Sequence, residues 1–152
     1  MLQIGEMAPE FALVSDENKT VALSDFRGQR VILFFYPKAG TSGCTTQACG
    51  FRDNFPQIEA AGATVVGIIP DTPQQLPKWK AAEKLPYSLL SDPDNAVATT
   101  YSSYGEKSMY GRKYMGVIRS HFVIDSDGRL EDVRFKVSPK DSIKYAVQQI
   151  VG

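Results

Sequence analysis

Two cysteines, Cys44 and Cys49, are the residues of this chain best suited to do chemistry. They lie in the stretch Tyr36-Pro37-Lys38-Ala39-Gly40-Thr41-Ser42-Gly43-Cys44-Thr45-Thr46-Gln47-Ala48-Cys49-Gly50-Phe51-Arg52-Asp53, where an apolar run stops at a proline and a helical pattern begins. At such a strand-to-helix junction the unpaired N–H groups of the first turn concentrate positive potential. A cysteine at that end is favoured as the thiolate, with a lowered pKa. Cys44 occupies the position. A thiolate attacks a peroxide oxygen and passes to the sulfenic acid, with which a second thiol can condense to a disulfide. Cys49 is the one other thiol in the chain.

Spacing adds a condition. Residues five apart in a regular helix have Cα atoms about 8.7 Å apart, beyond the roughly 6.8 Å limit of a disulfide. If the two cysteines form a redox couple, the first turns of their helix must unwind after oxidation. Gly43 and Gly50 flank the segment and ease such a change, or serve as ordinary turn and packing residues. The same distances argue against a permanent disulfide within one helix. Zinc takes four N or S ligands, and two Cys with the single His fall short of that set. Gly40 to Thr46 lacks the glycine spacing and the Lys of a phosphate loop. A pair of small buried residues with no chemical role stays open at this point.

The elements that must position the motif follow from periodicity. Val31 to Tyr36 is a β-rich run with no polar alternation, which suits a central strand covered on both faces, and Pro37 stops it. A helix follows from about Cys44 to Ala60, burying Phe51, Phe55 and Ile58, and then a second buried strand over Thr64 to Ile69. This is a βαβ unit with parallel strands. Asp71 or Thr72 is expected to cap a second helix carrying Leu76 and Trp79, with Pro73 near its first turn. Pro86 precedes a short extended segment over Tyr87 to Leu90, and a short helix follows Asp94. Val117 to Ile124 reads as a strand, Asp125 to Gly128 as a turn, Leu130 to Val137 as the hairpin partner, and Ser138 opens a terminal helix through Val151. Leu2 to Leu23 reads as short strands around a turn at Asp16 to Asn18. The order is that of an α/β thioredoxin-like fold: a central mixed β-sheet flanked by helices, with an N-terminal β-hairpin extension and an inserted segment.

Composition narrows the function classes. The chain has 152 residues, enough for one domain spanning 1–152 with a core of its own. Its 17 basic residues balance 17 acidic ones, which gives no overall attraction to nucleic acid or to an anionic membrane. The neighbouring Arg112 and Lys113 read as a solvated loop. The N-terminus lacks a basic start and apolar stretch, and no segment approaches a membrane span, so the reading is cytosolic. In a reducing compartment, two cysteines point to catalysis or metal binding rather than to a staple.

The sequence resembles the peroxiredoxins, most closely the bacterioferritin comigratory protein (PrxQ) group. The resemblance is carried by Gly5 to Phe11, the cysteine stretch, Leu89-Leu90-Ser91-Asp92-Pro93, Tyr114 to Arg119 and Phe122-Val123-Ile124-Asp125. The family pattern of a Pro, a Thr four residues on and a Cys three further falls on Pro37, Thr41 and Cys44, and its remote Arg on Arg119. The resemblance implies that Cys44 is the peroxide-reducing cysteine, that Thr41 orients the peroxide, that Pro37 shields the thiolate and that Arg119 holds the thiolate and the reacting oxygens. Cys49 matches the resolving cysteine, giving an intramolecular disulfide recycled by thioredoxin or a similar dithiol protein in a monomeric enzyme with no metal or other cofactor. Two positions depart from the group: Ser42 stands where a Pro is usual, and His121 where a small hydroxyl residue is usual. His121 shares a strand face with Arg119, as a tuning residue or as a satisfied structural histidine. The aromatic and Met-rich stretch from Tyr101 to Met115 reads as a loop packed on the core or as an apolar collar for alkyl hydroperoxides.

The implied activity is reduction of hydrogen peroxide and organic hydroperoxides. The alternatives are a general thiol–disulfide oxidoreductase, which normally uses Cys-x-x-Cys rather than this wider spacing, and a non-enzymatic redox sensor.

Overall fold

A computed structural model describes residues 2–37 and 42–152, with the backbone alone at 42–44 and 109. The strands are β1 (Ala12–Ser15), β2 (Thr20–Ala22), β3 (Arg30–Phe35), β4 (Ala63–Ile69), β5 (Ser88–Ser91), β6 (Tyr104–Met109), β7 (Arg112–Val117), β8 (Ser120–Ile124) and β9 (Leu130–Arg134). The helices are α1 (Ser42–Ala60), α2 (Leu76–Glu83), α3 (Ala96–Thr100) and α4 (Pro139–Val151). Seven strands form one mixed sheet in the order β2-β1-β5-β4-β3-β8-β9. β3, β4 and β5 run parallel. β8 pairs antiparallel with β3, β9 with β8, and the β1–β2 hairpin joins the far side through β5. This is the thioredoxin-like α/β arrangement expected from the order of elements.

Successive residues of β3 feed opposite faces of the sheet. Ile32 and Phe34 join Ala48, Phe51 and Ile58 of α1, Leu76 and Trp79 of α2, and Ala146 and Ile150 of α4 in one core layer. Val31, Leu33 and Phe35 join Phe11, Leu23, Ala98, Tyr101 and Phe122 in the other. Burial on both faces is why β3 lacks polar alternation. Gly67 in β4 stands opposite Phe34, whose ring would lie 2.8 Å from any added Cβ, so a side chain there would displace the central aromatic. Arg30 ties the start of β3 to β9 and to the end of α4: it donates to both oxygens of Glu131 at 2.8 and 2.7 Å, and to the Gln149 and Ile150 carbonyls. Those carbonyls belong to the last helical turn, whose acceptors lack intrahelical partners.

Three expectations are corrected. α2 begins at Leu76 rather than after Asp71 or Thr72, and residues 72–75 form a turn closed by Gln75 N donating to the Thr72 carbonyl at 3.0 Å. A helix starting at Thr72 would need an N–H from Pro77 to reach the Pro73 carbonyl, and Pro77 has none. The strand read over Val117 to Ile124 is interrupted at Ile118 and Arg119: Val117 ends β7, and Ser120 begins β8 in the main sheet. The stretch from Tyr104 to Val117 is a hairpin, β6 against β7, in its own two-stranded sheet. Tyr110 (φ 52°) and Gly111 (φ 78°) form its two-residue turn, with the positive φ at both positions that a type I′ connection needs.

Candidate active site

β3 ends at Phe35, Tyr36 is buried, Pro37 is half-buried, and Cys44 is the third residue of α1. Cys44 is thus placed, by its backbone, in the first turn of a 19-residue helix. Thr41 lies outside the described residues. Arg119 is half-buried between β7 and β8. The register pairs Phe35 with Ser120, so Arg119 emerges at the end of the sheet where Tyr36 and Pro37 leave β3. Its Nε donates to Gln47 Oε1 at 3.2 Å. Gln47 follows Cys44 by three residues and lies on the same side of α1. The two remote pieces of the sequence pattern, Arg119 and the start of α1, therefore meet.

Gln47 opens a buried polar chain that the sequence did not disclose. Its amide donates to Ser142 Oγ at 2.9 Å, and His121 Nδ1 shares the same oxygen at 2.8 Å. Gln47, Ser142 and His121 are all fully buried. His121 Nε2 stands 3.8 Å from Asp132 Oδ2, too far for a hydrogen bond, and that carboxylate has its direct partner in Arg134 Nε at 3.1 Å. Burial pushes the His121 pKa down, against the opposing pull of Asp132, so His121 is neutral at pH 7. His121 is thereby connected to Arg119 through α4 and α1, rather than along its own strand.

Cys49 is a half-buried free thiol on the next turn. It donates to Glu83 Oε2 at 3.3 Å. Burial raises its pKa, the Glu83 hydrogen bond raises it further, and Arg52 pulls the other way. Cys49 is therefore a thiol at neutral pH.

Beside Arg119 opens a cavity of about 420 Å³ lined by Glu106, Lys107, Ser108, Ile118 and Lys136. Lys107 Nζ is fixed on the Val117 carbonyl at 2.8 Å. The aromatic stretch divides: Tyr101 packs between Phe35 and Phe122 in the core, whereas Tyr110, Tyr114 and Met115 are exposed on the hairpin. Among the described residues, no group of three or more His, Cys, Asp or Glu side chains is placed to hold a metal, and no helix is long and apolar enough to cross a membrane.

The chain matches the AhpC/TSA family model over residues 4–133. It is 46% identical to peroxiredoxin Bcp of Escherichia coli K12 over 132 residues, 87% of this chain and 85% of the relative. Its fold superposes on peroxidoxin BcpB from Mycobacterium tuberculosis with a TM-score of 0.87 and 31% identity, covering 99% of this chain and 97% of the other. A cysteine-to-serine variant of PrxQ from Xylella fastidiosa gives a TM-score of 0.90 at 26% identity over 98% and 95% of the two chains. With the meeting of Arg119 and the start of α1, these likenesses establish that the chain belongs to the AhpC/TSA family, in its Bcp/PrxQ peroxiredoxin group.

Proposed function

We propose that this peroxiredoxin reduces hydrogen peroxide and organic hydroperoxides at Cys44, with Cys49 resolving the oxidised form. The observation that carries the reading is the Arg119–Gln47 contact, which sets a permanent cation at the helix turn where Cys44 begins its reaction. The Cys44 thiolate attacks the outer oxygen of the peroxide, a sulfur–oxygen bond forms, and the oxygen–oxygen bond breaks. The leaving oxygen takes a proton and departs as water or alcohol. Arg119 offers a planar fork of donors to charge that passes from sulfur to that oxygen, Thr41 orients the peroxide, and Pro37 shields the sulfur.

Cys49 then attacks the sulfenic sulfur, which loses its oxygen as water while the disulfide forms. Thioredoxin or a similar dithiol protein supplies the two electrons that restore both thiols. Sulfur carries every electron, so the scheme calls for no metal, haem or flavin. A redox couple contained in one helix needs no second subunit and suits a reducing compartment, which supports a single-domain monomer acting in the cytosol.

Peroxide turnover coupled to a thioredoxin system tests the scheme. Cys44→Ser is expected to abolish reaction, and Cys49→Ser to consume one equivalent of peroxide and stall. Sustained turnover by Cys44→Ser would remove the basis of the assignment.

A further inference from the structure

Three contacts fasten the turn of α1 that carries Cys49 to the segment where α2 ends. The Cys49 thiol donates to the carboxylate of Glu83, the last residue of α2, at 3.3 Å. Arg52 Nη1 donates to the Glu83 main-chain oxygen at 2.7 Å. The buried Tyr87 hydroxyl donates to the Ala48 carbonyl at 2.7 Å. Ala48, Cys49 and Arg52 span little more than one helical turn. The helix between Cys44 and Cys49, which runs into this turn, has to open before the two sulfurs can approach within bonding distance.

From this juxtaposition we infer that Glu83 is a positioning residue for the second half of the reaction: it holds the Cys49 S–H against α2 and so sets how long oxidised Cys44 lasts before the disulfide closes. The inference rests on the peroxidase reading for its Cys44 step. Closure requires the Cys49 thiol to leave Glu83 and lose its proton to water. Its sulfur then bonds to the Cys44 sulfur, and the sulfur–oxygen bond breaks, releasing hydroxide that takes up a proton. Glu83 opposes the first of these events in two ways, as an acceptor that retains the S–H and as a negative charge beside a sulfur that must become anionic. The other groups facing this thiol are Arg52, which favours the anion, Asp53, which disfavours it, and the neutral Tyr87. A sulfenic acid that waits longer is more exposed to a second peroxide and to sulfinic acid. Glu83 thus trades speed of closure for a helix that stays formed during the peroxide step.

Glu83→Ala and Glu83→Gln decide the matter on two measurements. In a Cys44→Ser background, iodoacetamide labelling of Cys49 at neutral pH is expected to accelerate about three- to tenfold in Glu83→Ala, with the rate profile displaced to lower pH. Glu83→Gln keeps an acceptor without the charge and falls between the two. In the chain with both cysteines, disulfide closure after one equivalent of peroxide accelerates by a similar factor, and less sulfinic acid accumulates under excess peroxide. Labelling that is unchanged or slower in Glu83→Ala overturns the inference, as does closure that fails to accelerate. A purely structural role would lower the melting temperature without displacing the labelling profile. The labelling arm uses no peroxide. Failure of the parent chain to react with peroxide would therefore sink the peroxidase reading while the hold of Glu83 on Cys49 is still decided.

Discussion

Replacing Gln47 by Leu removes the acceptor of Arg119 Nε while keeping nearly the same side-chain volume, and the size of the effect can be worked from the contacts. A hydrogen bond to a charged group contributes about 1.5–3 kcal/mol. Arg119 is half-buried, so the lower end applies. If that contact aims the guanidinium at the charge developing between Cys44 and the peroxide, its loss lowers the rate constant of the first peroxide reaction about tenfold, since about 1.4 kcal/mol is a factor of ten. Stability should fall by about 1.5–3 kcal/mol, because the Gln47 bond to Ser142 is lost with that to Arg119, while Ser142 and His121 retain their mutual bond at 2.8 Å. Gln47→Glu keeps an acceptor for Arg119 but places an anion one turn from Cys44, so it recovers part of the rate with its pH profile moved upward. Rapid mixing with one equivalent of peroxide across a pH series, alongside thermal melting, separates these effects. A Gln47→Leu protein that stays folded and reacts within about twofold of the parent, well inside the tenfold loss worked above, would refute the reasoning.

Asp92 is buried and its carboxylate accepts from Val97 N at 3.2 Å and Ala98 N at 2.9 Å, so Asp92→Ala leaves the start of α3 unsatisfied. The expected loss is about 1–3 kcal/mol, read as a lowered midpoint in urea unfolding, with Asp92→Asn closer to the parent. Arg30→Met breaks the paired contact with Glu131 and two helix-end bonds, and because both side chains are partly exposed its cost is nearer 1 kcal/mol than the buried limit, measured in the same way. The His121 pKa is lower in the folded chain than in the unfolded one, so the unfolded chain takes up more protons as pH falls through about 6.5. Stability should therefore decline from about pH 6.5 downward toward the depressed folded value, and His121→Asn should flatten that slope. Equal urea midpoints for the parent at pH 7.5 and 5.5, either side of the unfolded value of about 6.5, would count against a buried neutral imidazole.

What could be read from the chain, and what could not, divides along a physical line. β3, α1 and β4 are legible because each carries a continuous apolar signal, and Cys44 is legible because its placement depends on one junction. The β6–β7 hairpin escaped because β7 buries little beyond Val117, so no alternation betrays it. Its one sequence signal is Gly111 behind Tyr110, at a turn that needs positive φ twice. Ser142 sits on the buried stripe of α4 among Ala146 and Ile150, where its hydroxyl matters only because Gln47 and His121 arrive from two other elements. Glu83 lies 34 residues from Cys49, and a single carboxylate at a helix end carries no mark of the thiol it will meet.

The same division explains how α1 can meet two opposed demands. On the proposed scheme Cys44 needs an intact helix terminus, whereas closure of a disulfide with Cys49 needs the turns between them to open. From Phe51 onward the helix is held by apolar burial, with Phe51 and Ile58 fully enclosed, each contributing about 1.5–3 kcal/mol. The turns before it depend more on polar contacts that water can replace: Gln47 with Arg119 and Ser142, Ala48 with Tyr87, Cys49 with Glu83. At about 1 kcal/mol apiece, four such contacts favour the closed helix by roughly a thousandfold. Oxidation of Cys44, as proposed, would shift the balance from within, because a neutral sulfenic acid forfeits the attraction between an anion and the helix terminus, typically about 0.3–1 kcal/mol. On that scheme, reaction at Cys44 would weaken the turn that keeps Cys49 away from it, while the buried half of the helix would keep its place and return the segment on reduction.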